Sequence, residues 1–333
     1  MSLYEVAFDF SSPLRVPSHS RDGLRIPLSV GADRFFSFVA LGWSRLFGTA
    51  LLKEQLIDPL VAADYPFVFS DLFPDIDDDL LIPAVLHTGE SSSLSRHFQA
   101  KWTPLRALLK ALAADSNCPQ LLAGEALTDA FQFNSVSRLS ASSSSSLLLN
   151  SEHISVLSFE NSRQLRATVP ASNEIEGKEA LLKLKGLLEI KDESLLEPLK
   201  AVLAFMKEEG LGGMRSSGAG QINSLTISPA VDFSFQSKLD KVSKFLILSP
   251  ASPTQEMIRA IQSSPAASNR YSISKAGGWI YDENGHHTGL KKNVTRFFET
   301  GSVFSVLPQG RLLDLSRDGN LCYRYGIPFV VQI

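Results

Sequence analysis

A helix, a glycine-rich loop and a strand follow one another across residues 193–227, and strand–helix–strand–strand patterning recurs on both sides of residue 230. Together these observations predict an α+β chain of two ferredoxin-like (RRM-like) βαββαβ domains, 1–230 and 231–333, with a glycine-rich loop and insertions. The chain's 333 residues suit two domains of ordinary size, and 44% hydrophobic with 20% charged residues is enough apolar material for real cores.

The elements follow in order. Residues 3–10 alternate apolar and polar as a strand does. Residues 11–30 are polar, carry Arg15, Arg21 and Arg25, and are broken by Pro13, Pro17 and Pro27, which predicts a long loop or hairpin. Asp33 is placed to cap a helix running through Phe35, Phe36, Val39, Leu46 and Phe47. An acidic insertion over about 54–95 is expected to be irregular from residue 64, and residues 103–113 read as a short helix with Pro104 near its start. The serine run at about 140–146 predicts a flexible segment, followed by strands at 153–159 and 164–169. Helices are predicted at 178–189 and 193–207, the second placing Leu195, Leu199, Val202 and Met206 on one face. Residues 221–227 form a strand. In the second domain, strands at 245–248, 270–282, 294–307 and 321–333 surround a helix at 254–262, with turns at Gly277, Gly278 and Gly285.

The densest signal lies between the second predicted helix pair and its strand. Gly210, Gly212, Gly213, Gly218 and Gly220 fall within eleven residues and enclose Arg215, Ser216 and Ser217. Glycines let the backbone come close to a ligand, and an arginine fork with two hydroxyls suits phosphate oxygens. A Walker loop would require Lys-Ser/Thr after the second glycine, and a dinucleotide fingerprint requires strand before helix. Neither order is present. The loop is read as an anion-binding loop of another kind.

Charge is distributed unevenly. The net charge is −3, yet nine carboxylates (Glu54, Asp58, Asp64, Asp71, Asp75, Asp77, Asp78, Asp79 and Glu90) lie between residues 54 and 95 without one Lys or Arg. Residues 11–50 hold five arginines against two acids, and residues 270–311 six Lys/Arg against three. Such a chain binds a polyanion locally or within an assembly, not over its whole surface. Cys118 and Cys322 are too few for a disulfide framework, no Cys/His spacing suits zinc, and the N-terminus lacks the form of a signal peptide. The expectation is a cytoplasmic protein without cofactor or metal.

The loop resembles the glycine-rich loop (Gly-Φ-Gly-Gly-Lys/Arg-x-Ser-x-Gly-x-Gly) of the RAMP superfamily of CRISPR proteins. Within it, the chain is most similar to the subunit of type III-A (Csm) effector complexes that caps the five-prime end of the crRNA. Residues 26–39, 244–250, 277–280 with 299–304, and 322–329 support the resemblance by their order, which spans residues 3–333. Met214 departs from a common Lys, and Ala32 and Arg34 from an expected Ser and Thr. The resemblance implies a non-catalytic subunit for antiviral defence. It would bind the repeat-derived five-prime tag through Gly210, Gly212, Gly213, Arg215, Ser216, Ser217, Gly218 and Gly220, with Arg15, His19, Arg21 and Arg25 lining the RNA path from the other side. Its implied partners are crRNA, the cyclase-like large subunit and the backbone RAMP subunit, with the acidic 54–95 segment a protein-contact surface.

No clustered base, acid and oxyanion donors appear in the sequence, so no catalytic residue is assigned. His19 keeps one alternative open, because the superfamily's pre-crRNA processing endoribonuclease places a histidine near its first helix. The equivalent subunit of the Cmr complex is another. His286 and His287 sit in a turn composition and are read as a solvated hairpin tip. Trp279 beside Gly277 and Gly278, and Tyr323 and Tyr325 around Arg324, offer faces either for base stacking or for core packing.

Overall fold

The computed structural model describes residues 2–12, 14–15, 29–76, 79–83, 102–105, 156–159, 162–165, 167–168, 179–180, 183–213, 215–230, 244–265, 269–281 and 287–333. His19, Arg21, Arg25, Asp77, Asp78, Cys118, the serine segment 140–146, Met214 and His286 lie outside these residues. Helix and strand are mixed, as an α+β chain requires.

The first unit is built on an antiparallel sheet. Its central strands are β1 (Ser2–Phe10), β2 (Phe67–Phe69), β3 (Phe73–Ile76), β4 (Lys183–Ile190) and β5 (Ile222–Pro229), in the order β5-β1-β4 with β2 and β3 both on the far edge of β4. Val6, Phe8 and Phe10 are buried under two helices, while Glu5, Ala7 and Asp9 alternate toward the other face. Those helices are α1 (Ala32–Phe47) and α2 (Leu196–Glu209), which bury Phe35, Val39 and Trp43, and Leu199, Val202 and Met206. Gly42 sets their approach: a Cβ there would lie 2.4 Å from Met206 Cγ. Phe35 meets Phe8 and Phe69 edge to face, with ring centroids 5.7 and 4.9 Å apart.

The structure corrects four readings. Residues 183–190 form β4 rather than a helix, although Lys, Leu and Glu favour helices. Hydrogen bonding on both edges decides the matter, with Val6 opposite Gly186 in β1 and Phe69 opposite Leu188 in β2. Gly186 fits because Leu72 Cδ2 stands 2.7 Å from where its Cβ would be. The acidic stretch is not an irregular insertion from residue 64. It supplies β2, β3 and the strand Asp79–Pro83, and Asp75 pairs with Lys185 at 3.1 Å. Trp102–Pro104 is a strand against Asp79–Pro83, the proline being tolerated at a sheet edge. The end of the chain is two short strands, Tyr323–Arg324 and Val330–Gln332, not one.

The second unit has a three-stranded sheet with β6 (Phe245–Ile247) at its centre, between Val303–Phe304 and Val330–Gln332. Alternation in β6 joins the two units. Leu246 and Leu248 enter the large core shared with the first unit, whereas Ile247 packs with Met257 of α3 (Gln255–Ser263), Phe298 and Phe304. Tyr325 crosses the same joint: it stacks on Phe36 at 5.2 Å, and its hydroxyl accepts a hydrogen bond from the Phe69 amide at 3.1 Å. Burial pushes its phenol well above the ordinary value, so it stays neutral. Tyr325 is thus core, not a surface for bases.

Asp71 ties the joint together. The pairing along β4 is interrupted between β2 and β3, at residues 70–72, where the Ser70 hydroxyl accepts from the Leu187 amide at 2.7 Å. Asp71 is turned away from the sheet. Its amide donates to Leu248 O at 2.8 Å, its Oδ1 accepts from the Ala32 amide at 2.7 Å, and its Oδ2 accepts from the Thr300 hydroxyl at 2.7 Å. The cap of α1 is therefore this remote carboxylate over Gly31, not Asp33. Asp33 lies inside the first turn and accepts the Tyr325 amide at 2.8 Å.

Full burial raises the Asp71 carboxyl to about 7, with Thr300 and the Ala32 amide opposing and the neighbouring Asp33 adding to the rise. An unfolded aspartate titrates near ~3.9. The folded state therefore holds the proton more tightly. That contribution is complete below about pH 4 and is lost as pH rises through about 7, at up to about 1.4 kcal/mol per pH unit. Asp71→Asn retains an acceptor for Ala32 and should flatten the pH dependence of the urea midpoint between pH 5 and 7. An unchanged pH profile in that variant would mean that Asp71 is ionised in the fold.

Candidate nucleic-acid interface

α2 ends where the glycines begin. Gly210 has φ 72°, and the following glycines at 212, 218 and 220 have φ 93°, 80° and 67°, all in the region that side chains disfavour. The five glycines divide into two groups. Gly210 and Gly220 form a neck closed by a hydrogen bond from the Leu211 amide to Gly220 O at 2.8 Å. A Cβ on Gly220 would lie 1.8 Å from Leu211 O, and one on Gly210 2.7 Å from Gly220 O. Beyond the neck, Gly212 is exposed and Gly218 has nothing within 4 Å of a built Cβ. Arg215–Ser217 make a 3-10 turn with all three side chains exposed, closed by the Gly218 amide on Arg215 O at 2.9 Å.

This tip faces α1 across a pocket of about 310 Å³, lined by Arg34, Ser37 and Phe38 on one wall and by Gly210, Gly212, Gly213 and Arg215 on the other. Burial lowers the Arg34 guanidinium from its ordinary value while Asp33 beside it works in the opposite direction. Glu209 sits between two arginines, 2.9 Å from Arg45 Nη1 and 3.6 Å from Arg215 Nη1. All three are more than a third exposed, so these pairs hold Arg215 only loosely and leave it able to turn to a stronger anion.

The arginine-bearing loop starts at the same place. Ser11 and Ser12 are stitched to Gln221, just past the neck, by Ser11 N on Gln221 O at 2.9 Å and Gln221 N on Ser12 Oγ at 2.8 Å. Leu14 Cδ1 stands 3.5 Å from a Cβ built on Gly220, and Arg15 follows in a short strand paired with Gln164. The strand that holds Arg15 and the glycine loop, far apart in sequence, are thus joined through Ser11, Ser12 and Gln221.

Arg34 was visible in the sequence only as a departure from a motif, and Arg45 and Glu209 gave no signal. Only the packing of α1 on α2 brings them to the loop. The other face of the sheet is a different matter. β1 presents Leu3, Glu5, Ala7 and Asp9 there, and Lys185 on β4 is engaged by Glu5 at 3.4 Å and Asp75 at 3.1 Å. Glu5, Asp75 and Lys185 are each less than a fifth exposed and neutralise one another, and β1 carries no aromatic there, so this face offers bases no stacking platform. Among the described residues, no group of three or more His, Cys, Asp or Glu is placed to hold a metal ion. None of their helices is long and apolar enough to cross a membrane.

The neck makes a stability prediction. Gly220→Ala should cost about 3 kcal/mol or more, since the clash is with backbone, whereas Gly218→Ala should cost about 1–2 kcal/mol from its backbone angle alone. Urea unfolding of the two variants measures the difference; equal losses would show that the neck is not closed in this way.

Comparison with known proteins gives three findings. Residues 240–333 match the family of the CRISPR Csm4 C-terminal domain. No curated protein matches the chain. Among solved structures, the fold is similar to a chain in the crystal structure of the Csm3-Csm4 subcomplex of the type III-A CRISPR-Cas interference complex. The TM-score there is 0.62 at 14% identity, with 98% of each chain covered. It is also similar to a chain in the Csm1-Csm4 cassette bound to one ATP, with a TM-score of 0.52 at 14% identity over 99% of this chain and 97% of that one. The resemblance read from the sequence is borne out: the C-terminal part of the chain carries the features of a Csm4 C-terminal domain, on a fold that spans chains found in Csm4-containing structures.

Proposed function

We propose that this chain is the Csm4-type subunit of a type III-A CRISPR effector complex, holding the five-prime tag of the crRNA at the glycine loop without catalysing a reaction itself. The observation that carries the reading is the pocket lined both by Arg34 of α1 and by Arg215 of the open glycine tip. A phosphate there would accept from exposed backbone amides and from both guanidinium groups, which are charge-assisted contacts. Arg15 and the following segment with His19, Arg21 and Arg25 would extend the RNA path from Gln221 outward. The similar chains were solved with Csm3 and with Csm1, which supports a place between a Csm1-type large subunit and a Csm3-type backbone subunit. Such a complex would act in the cytoplasm.

The strand order β5-β1-β4 followed by β2 and β3, with α1 and α2 on one face, supports reading the first unit as a ferredoxin-like domain. We assign the second domain to residues 231–333, in keeping with the family match. The acidic segment's part in protein contact is confined to its outward residues, since Asp71 is interior.

The test is assembly with crRNA. Arg215→Ala should weaken retention of tag-bearing RNA by about 1.5–3 kcal/mol, the range for hydrogen bonds to charged groups. Co-purification of the complex and sequencing of its RNA reads the loss; wild-type retention in Arg215→Ala and Arg34→Ala together would remove the pocket from the RNA path.

The purified chain should also leave repeat RNA intact, with or without divalent metal. Single-site cleavage that vanishes in His19→Ala would replace this reading with an endoribonuclease.

A further inference from the structure

A second basic surface lies beyond the pocket, on an arm of the second unit. The arm is made of β7 (Ile273–Ala276), β8 (Trp279–Tyr281), β9 (His287–Lys291) and β10 (Thr295–Phe298), with β7 paired to β10 and β8 to β9. Residues 269–281 and 287–298 contain Arg270, Lys275, Lys291, Lys292 and Arg296 and no carboxylate. Lys275 and Arg296 are directly opposite each other across the β7–β10 pair, and both are exposed. Like charges in that position destabilise a sheet, so the fold gains nothing from them. Trp279 is 40% exposed, with Lys291 Nζ 5.1 Å from its ring centroid. An indole beside a lysine is the pairing that single-stranded nucleic acid uses, a base on the ring and a phosphate on the cation.

The arm is braced, and its brace leads back to the pocket. Arg324 Nη2 donates to Gly277 O at 3.0 Å at the turn between β7 and β8, and its Nε lies 3.7 Å from Asp33 Oδ2. Asp33 precedes Arg34, which lines the glycine-loop pocket. Further bonds from Lys292 N to Gly278 O at 2.9 Å and from Thr295 Oγ1 to Ala276 O at 3.2 Å fix the arm's base. The arm is thus held at a set position relative to α1.

We infer that the arm is a second single-stranded RNA contact, at which Lys275 and Arg296 take adjacent phosphates and Trp279 stacks a base of the strand that passes the glycine-loop pocket. The inference rests on the proposed RNA-binding function and extends it to a surface 60 residues away in sequence. Charge decides the occupant: Arg270, Lys275, Lys291, Lys292 and Arg296 outnumber Asp282 and Glu283, the two carboxylates in the sequence joining β8 to β9, and that excess suits a polyanion, whereas a protein partner would have to supply a matching acidic face.

The experiment uses the full chain and a fluorescein-labelled 12-nucleotide single-stranded RNA, with anisotropy read over a salt series. Lys275→Glu is the informative variant, because it creates an ion pair with Arg296. It should raise the melting temperature while weakening RNA binding about tenfold, and it should reduce the slope of log K against log salt by about 1.4, two phosphates' worth. Trp279→Ala should weaken binding about five- to hundredfold with the slope little changed. RNA should quench tryptophan emission in the wild type and not in Trp279→Phe. If Lys275→Glu and Trp279→Ala bind as the wild type does while Arg215→Ala binds worse, the arm is not an RNA contact and the pocket stands. If the arm variants alone weaken binding, the arm stands and the pocket falls. Intact RNA binding with loss of a co-purifying protein subunit would make the arm a protein-docking surface. A wild-type chain that does not bind the oligonucleotide at low salt overturns the arm, while the pocket is judged separately by crRNA retention in the complex.

Discussion

Asp71 is the residue on which the arrangement of this chain depends. One side chain and one peptide group satisfy the first amide of α1, the Thr300 hydroxyl and the carbonyl of Leu248. The first of these belongs to the first unit and the other two to the second. A helix N-terminus leaves several amides without partners, and a buried one must find an acceptor or pay a desolvation cost. By meeting that need from β2–β3, Asp71 fixes where α1 starts. The start of α1 in turn sets Asp33 against Tyr325 and Arg324, and Arg34 against the glycine loop. The position of the pocket and the position of the arm both follow from it.

The glycine loop shows how one short motif serves two needs. Its neck is a matter of packing: Gly210 and Gly220 bring two backbone segments into hydrogen-bond contact that a side chain would block. Its tip is a matter of access, with positive φ values in open space and three exposed polar side chains. A closed neck beneath an open tip limits the conformations the tip samples, which would lower the ordering cost of binding for any ligand taken there. The helix cap alone would need one glycine; the other four are explained only when both functions are counted.

How much of this was legible in the sequence depended on whether the signal was local. The glycine loop, the face of α2 with Leu199, Val202 and Met206, and the helix after Thr254 follow from spacing and capping that neighbouring residues carry. β4 did not, because Lys183–Ile190 has the composition of a helix and becomes a strand only through partners more than a hundred residues away at both edges. Asp71 was counted among surface acids for the same reason: nothing in its neighbourhood says that Ala32 and Thr300 will close over it. Tyr325 likewise has the look of a stacking residue, and only the meeting of the two units shows it to be core. Arg34 needed the packing of α1 against α2 before it could be associated with the loop.

The same distinction resolves the electrostatics. A net charge of −3 argues against a nucleic-acid partner only if the acids face the same surface as the bases. Asp71 is interior and carries a raised pKa, Asp33 is held by Tyr325 and Arg324, Asp75 and Glu5 converge on Lys185, and Glu209 is placed between Arg45 and Arg215. Each of these carboxylates acts on a neighbouring amide or cation at short range. Arg215 at the loop tip and Lys275 and Arg296 on the arm are exposed to solvent instead. At physiological ionic strength charges farther apart than about 8 Å are largely screened, so a polyanion near the loop responds to the cations within reach and not to the sum over the chain. Local placement, not net charge, sets which face of this molecule a polyanion can approach.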